Sequence, residues 1–210
     1  MPSSDPKFLV LWCLAAFLCG SIPFGLLLVK LAGKGDVRAH GSGNIGATNV
    51  SRVGGKGLGL VTLLLDIAKG FLPVFLGRQL GMNDSLLSVL ALCAVLGHVF
   101  TPWLKFQGGK GVATALGVAL AFRAVVVLPA LGLFIVLLLL FRFVSLGSVM
   151  AALVLPLALW RLGAPPMVLL LWAAISLLVI AKHHENIRRL LKGTEAPLWG
   201  AKQEAPHVQG

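Results

Sequence analysis

The chain has 210 residues, of which 58% are hydrophobic and only 12% are charged, and its mean hydropathy is +0.94. A soluble domain carries about 25% charged residues, so a soluble globular enzyme is excluded. Lys and Arg number 18 against 7 acids, a formal net charge of +11. On a membrane protein that excess points to basic cytoplasmic loops and to anionic substrates or head groups, not to nucleic acid.

In chain order, the apolar runs are Phe8–Val29, Gly57–Gly77, Ser85–Leu104, Val112–Phe122, Ala124–Phe141, Phe143–Trp160 and Leu162–Ala181. They lack the alternation that a membrane β-barrel requires. The first run, 22 residues without a charge, exceeds the signal-peptide core of about 7–15 and is expected to stay as a span. Gly57–Gly77 carries Asp66 and Lys69 in its interior. Ionisable groups at that depth are costly, so the two are expected to pair and to face the protein. Val112–Phe122 covers only about 16 Å at 1.5 Å per residue, against about 30 Å of hydrocarbon. It crosses if the bilayer thins or if Arg123 snorkels to the interface.

The positive-inside rule arbitrates. If all seven runs cross, 13 basic residues share one side and four the other. The expected fold is therefore an all-α integral membrane protein with about seven transmembrane helices, one of them short. The N-terminus lies outside, the C-terminus lies in the cytoplasm, and the glycine-rich loops are cytoplasmic. Residues 1–195 form a single polytopic domain, and 196–210 are a disordered cytoplasmic tail rich in Pro, Gly and Gln. Cys13, Cys19 and Cys93 sit in apolar runs without metal-type spacing and read as small buried hydrophobes.

Three polar stretches fall on the cytoplasmic side. In the first, nine glycines between Gly33 and Gly59 interleave with hydroxyls, amides and basic residues. The segment Gly41-Ser42-Gly43-Asn44 to Thr48-Asn49 and Arg52 suits an anion-holding nest, with Arg52 able to grip a phosphate or carboxylate. A merely flexible loop is the competing reading. The second runs from Gly97-His98 to Gly108-Gly109-Lys110-Gly111 and Thr114. Its glycines lead into a helix N-terminus beside a lysine, a natural anion site. It is not a Walker A loop, because Gly111 stands where Ser or Thr would follow the lysine. Close helix packing would use the same glycines, and His98 is open to a structural or a catalytic role. The third is His183-His184-Glu185-Asn186-Ile187-Arg188-Arg189, then Gly193-Thr194-Glu195. His183 and Asn186 share a helix face. A basic helix on lipid head groups is the alternative, and too few ligands gather for a metal.

Together, these three motifs in order resemble the bacterial acyl-phosphate:glycerol-3-phosphate acyltransferase family, over nearly the whole chain to Glu195. The resemblance implies an acyltransferase of the cytoplasmic (inner) membrane, with its active site facing the cytoplasm. It would move a fatty acyl group from acyl phosphate to the sn-1 hydroxyl of glycerol 3-phosphate. The products would be lysophosphatidic acid and phosphate, the opening step of bacterial phospholipid biosynthesis. It implies no cofactor, no metal and no coenzyme A, and as a partner the soluble enzyme that makes acyl phosphate. Carried over by motif, Ser42, Arg52, Lys110, His183 and Asn186 are expected to be catalytic. Gly43, Asn44, Thr48, Asn49, Gly108, Gly109, Gly111 and Thr114 are expected to bind substrate. None of the five histidines has an Asp five positions later, which argues against a histidine–aspartate base and for direct, substrate-assisted transfer without an acyl-enzyme. A small anion or phosphate-ester transporter, or a lipid-binding scaffold, is the alternative. The outer face lacks polar machinery and no internal repeat supports transport.

Overall fold

Pro23 divides the first apolar run into two helices, α1 (Pro6–Ser21) and α2 (Phe24–Leu31), in a computed structural model that describes residues 6–199. Proline lacks an N–H and disfavours helical backbone at the residue before it, so the single helix expected over Phe8–Val29 breaks at Ile22. The carbonyls released there find other donors. Thr101 Oγ1 donates to Ser21 O at 2.7 Å, and Lys69 Nζ donates to Ile22 O at 2.7 Å. Away from water an unsatisfied backbone group costs several kcal/mol, which is why a broken helix is tolerated only where the protein re-satisfies it.

The chain continues through α3 (Ala47–Gly54), α4 (Lys56–Gln79), α5 (Asp84–Val99), α6 (Val112–Phe141), α7 (Val144–Arg161), α8 (Pro166–Ala181) and α9 (His184–Leu191), with 3-10 turns at Val37–Ala39 and Pro102–Leu104. Among the described residues there is no strand. By length and composition five segments suffice to cross a membrane, and α8 with α9, bent by 56°, makes a sixth.

The difference from the expected seven lies in α6, which joins two runs that the sequence separates. Arg123 has non-helical backbone within it, with φ −154 and ψ 96. At this corner the Arg78 guanidinium donates to Phe122 O and Arg123 pairs with Asp84, the first residue of α5, at 2.5 Å. At the far ends, Lys110 bonds Asn186, and Ser145 reaches the same Asn186 through Glu195. A straight 30-residue helix would hold its ends about 45 Å apart. The arms 112–122 and 124–141 therefore fold back on each other at Arg123.

Small residues set the helix crossings. A Cβ on Gly20 would overlap the Ala94 carbonyl, and one on Gly97 the Phe17 carbonyl, so α1 and α5 meet backbone to backbone. Gly70 against Thr114 and Gly117 against Ile67 do the same for α4 and α6. Such close approach is how helices gain dispersion contacts where lipid removes the hydrophobic drive. Gly97→Val is expected to destabilise the fold by about 1–3 kcal/mol or more, read as a lower thermal midpoint in detergent. Leu128, Leu139, Leu140, Leu170 and Leu177 are exposed, as side chains facing lipid tails would be.

Candidate active site

The first glycine-rich loop is held in shape by one buried amide. Asn49 Nδ2 donates to Val37 O at 3.1 Å, His40 O at 3.1 Å and Asn44 O at 2.9 Å. Its Oδ1 accepts from Ser42 N–H at 2.9 Å. Asn44 Oδ1 accepts from Gly46 N–H at 2.8 Å. The loop's amide groups thus serve the loop, and Asn49, expected to bind substrate, is committed to organising it. What the loop presents is Ser42, exposed, and Thr48 and Arg52 on α3. At its entrance Arg38 grips Asp36, whose carboxyl is held down at about 2 chiefly by that hydrogen bond.

The second motif is seated on His98. Gly109 N–H donates to His98 O at 3.1 Å and Gly108 N–H to Val99 O at 3.0 Å, while a Cβ on Gly109 would overlap the His98 ring. Both glycines, expected to cradle a phosphate, use their lack of a side chain to pack on α5. Their N–H groups are spent there, and neither lines the cavity described below. Thr114 is fully buried at the α4 contact and does not line it either. Lys110 and Gly111 do.

Lys110 Nζ donates to Asn186 Oδ1 at 2.5 Å, and Asn186 Nδ2 donates to Glu195 Oε1 at 2.6 Å. Glu195 also accepts from Ser145 Oγ at 2.6 Å and Arg189 Nε at 2.7 Å. Burial pushes this carboxyl up, but the three hydrogen bonds outweigh it and leave it below its ordinary range. Burial lowers the Lys110 ammonium, opposed by Glu195. His183 is buried with Nδ1 2.7 Å from Val179 O. The tail returns to the site: Arg52 donates to Ala196 O at 3.1 Å and Leu198 N–H to Arg142 O at 2.8 Å. Ala196 and Leu198, at the start of the segment expected to be disordered, line the site with these contacts, and 200–210 lie outside the described residues.

These groups surround one cavity of about 870 Å³. Its polar end is lined by Ser42, Asn44, Thr48, Arg52, Lys110, His183, Asn186, Arg189 and Glu195, with Ser145 and Ser148 beside them. Two helix N-termini with no capping side chain, α3 at Gly46 and α6 at Gly111, contribute lining residues, and each brings a positive dipole end. The rest is apolar: Leu116, Leu131, Phe134, Leu138 and Leu155 line a trough between the two arms of α6 and α7. Of the expected site residues, Gly43, Gly108, Gly109 and Thr114 stand outside the lining. Ser145, Arg189, Glu195, Asp66 and His98 join it without having been assigned from sequence. Among the described residues no three His, Cys, Asp or Glu side chains group to hold a metal.

The family model described as glycerol-3-phosphate acyltransferase matches residues 10–193. A glycerol-3-phosphate acyltransferase of Trichlorobacter lovleyi is 51% identical over 185 residues, covering 88% of this chain and 95% of its own. That of Geobacter sulfurreducens is 50% identical over 180 residues, covering 86% and 92%. Among solved structures, PlsY (YgiH), an integral membrane glycerol 3-phosphate acyltransferase in its glycerol 3-phosphate form, superposes with a TM-score of 0.87 at 41% identity, covering 91% of this chain and 96% of that one. The lysophosphatidic acid form gives 0.83 at 40% identity, covering 90% and 94%. With nearly its full length matched in sequence and in fold, the chain belongs to the glycerol-3-phosphate acyltransferase family, as a multi-pass integral membrane acyltransferase of phospholipid biosynthesis.

Proposed function

We propose that the protein transfers a fatty acyl group from acyl phosphate to the sn-1 hydroxyl of glycerol 3-phosphate, releasing lysophosphatidic acid and inorganic phosphate. The observation that carries this reading is the cavity itself. Cationic and amide groups at one end, Arg52, Lys110 and Asn186, run directly into an apolar trough. An anionic head and a long acyl tail on one donor fit that division, and a second small anion fits beside the head. Acyl phosphate is an activated mixed anhydride, so positioning and charge stabilisation suffice as catalysis.

The step is a direct displacement. The hydroxyl oxygen bonds to the acyl carbon, the bond from that carbon to the phosphate oxygen breaks with its electron pair, and the hydroxyl proton leaves on a substrate phosphate oxygen. Lys110, Arg52 and the open N-termini of α3 and α6 offset the charge on the two phosphates. Asn186 and His183 orient the acceptor, and Ser42 contributes a hydroxyl at the mouth. The enzyme sits in the bacterial inner membrane with seven crossings, the reversal of α6 at Arg123 supporting the seventh. The site and the C-terminus face the cytoplasm, from which a soluble enzyme would supply the acyl phosphate. Purified protein given labelled glycerol 3-phosphate is expected to form lysophosphatidic acid from palmitoyl phosphate, with phosphate released in equal amount. Product from palmitoyl-CoA alone would overturn the choice of donor.

A further inference from the structure

Beneath the Gly108–Gly109 seat lies a buried cluster that the reaction above leaves unused. Asp66, Lys69 and His98 are 2%, 4% and 4% exposed. Lys69 Nζ lies 2.6 Å from Asp66 Oδ1 while its hydrogen bond to Ile22 O ties it to the break at Pro23. Asp66 and His98 both line the cavity. Their facing atoms, Asp66 Oδ1 and His98 Nδ1, are 3.9 Å apart; the carboxylate oxygen is ion-paired with Lys69, while His98 Nδ1 has no hydrogen-bond partner among the described residues. Buried polar atoms are nearly always satisfied. An imidazole nitrogen left without a partner beside a carboxylate oxygen in the wall of a cavity therefore offers a donor and an acceptor to a polar group that enters it.

We propose that Asp66 and His98 form a hydroxyl subsite that holds the secondary, non-reacting hydroxyl of the polyol phosphate, donating from His98 and accepting at Asp66. The inference rests on the glycerol 3-phosphate reading above and deepens it. Position supports it: His98 lies directly under the backbone that carries Lys110. A phosphate held at Lys110 and Arg52 leaves the carbinol end pointing inward, and the apolar trough is reserved for the acyl chain. The primary hydroxyl faces the acyl carbon. The secondary one would otherwise be buried without a partner, at a cost that a satisfied pair of neighbours removes. Lys69 Nζ, 2.6 Å from Asp66 Oδ1, holds that carboxyl in place as the acceptor.

The test compares glycerol 3-phosphate with 3-hydroxypropyl phosphate, which keeps the phosphate and the primary hydroxyl and lacks the secondary one. Full-length protein in detergent is expected to prefer glycerol 3-phosphate by about tenfold or more in kcat/KM, because a site built for a hydroxyl rejects the analogue that lacks it. Asp66→Asn and His98→Phe are expected to reduce that preference to about threefold or less, and His98→Asn, with an amide near the Nδ1 position, to restore part of it. Where a folded variant does not turn over, the same ratio is read from the two Kd values by calorimetry. Equal use of both acceptors by the unaltered protein overturns the subsite and leaves acyl transfer standing. Variants that keep the full preference also overturn it. No acylation of glycerol 3-phosphate at all overturns the functional reading beneath it.

Discussion

Lys110→Ala is expected to lower kcat/KM for glycerol 3-phosphate acylation by about 10²–10³ while the protein stays folded, the scale seen when one preorganised charge-stabilising donor is removed. Its ammonium stands at the junction of the cavity's polar end, on Asn186 Oδ1 at 2.5 Å, half-buried and fed by the N-terminus of α6. An ammonium already stripped of much of its water interacts more strongly with an arriving phosphate than a surface lysine does. Lys110→Met keeps the stem and removes the charge, so a loss as large as that of Ala assigns the effect to charge. The pH profile carries a second signature. Burial lowers this group's pKa, and the protonated form is the one that binds phosphate. Activity is therefore expected to fall on the alkaline side at a lower pH than an ordinary lysine would dictate. Lys110→Arg, which does not deprotonate in this range, is expected to lose that alkaline limb even at reduced turnover. An unchanged limb in the Arg variant would place the titration elsewhere, and full turnover by Lys110→Ala would remove Lys110 from the mechanism.

The membrane class, the helical runs and the polar stretches were legible because they are properties of short windows: apolar length, charge and glycine content. The pairing of Asp66 with Lys69 was legible for the same reason, since three residues apart on a helix puts them on one face. What escaped depends on direction and on contacts distant in sequence. Hydropathy alone shows that 112–141 is apolar but not whether the chain runs on or turns back at Arg123, and it was the distribution of basic residues that favoured two separate crossings there. Glycine is ambiguous in a deeper way. The same residue serves an anion nest by its backbone freedom and a close crossing by its missing Cβ, and Gly108 and Gly109 turn out to use the second property. Glu195 was missed because its partners do not share its element. Ser145 lies 50 residues away, and Asn186 is reached only because Gly193, at φ 67, turns the chain back after α9.

Glu195→Ala is expected to destabilise the protein by about 3 kcal/mol, because the carboxylate accepts from Ser145, Asn186 and Arg189 at once and hydrogen bonds to a charged group are worth about 1.5–3 kcal/mol each before relaxation. The sign of the acid response follows from the same contacts. The folded protein holds this carboxyl below its ordinary range, so its contribution is complete above the unfolded-state pKa. That contribution is lost as pH falls through the lower, folded-state value. Thermal midpoints measured between about pH 6 and pH 3 should therefore fall less steeply in Glu195→Gln than in the unaltered protein. Turnover separates scaffold from chemistry. A carboxylate only accepts, so it forces the Asn186 amide to turn its NH2 toward Glu195 and its oxygen toward Lys110. A glutamine at 195 can donate as well as accept and releases that constraint. Lower activity in Glu195→Gln that is matched by a looser dependence on Asn186, shown by a double-mutant cycle with Asn186→Asp, places Glu195 behind Asn186 as its positioning residue. Independent, additive losses would instead mean that Glu195 meets the substrate on its own.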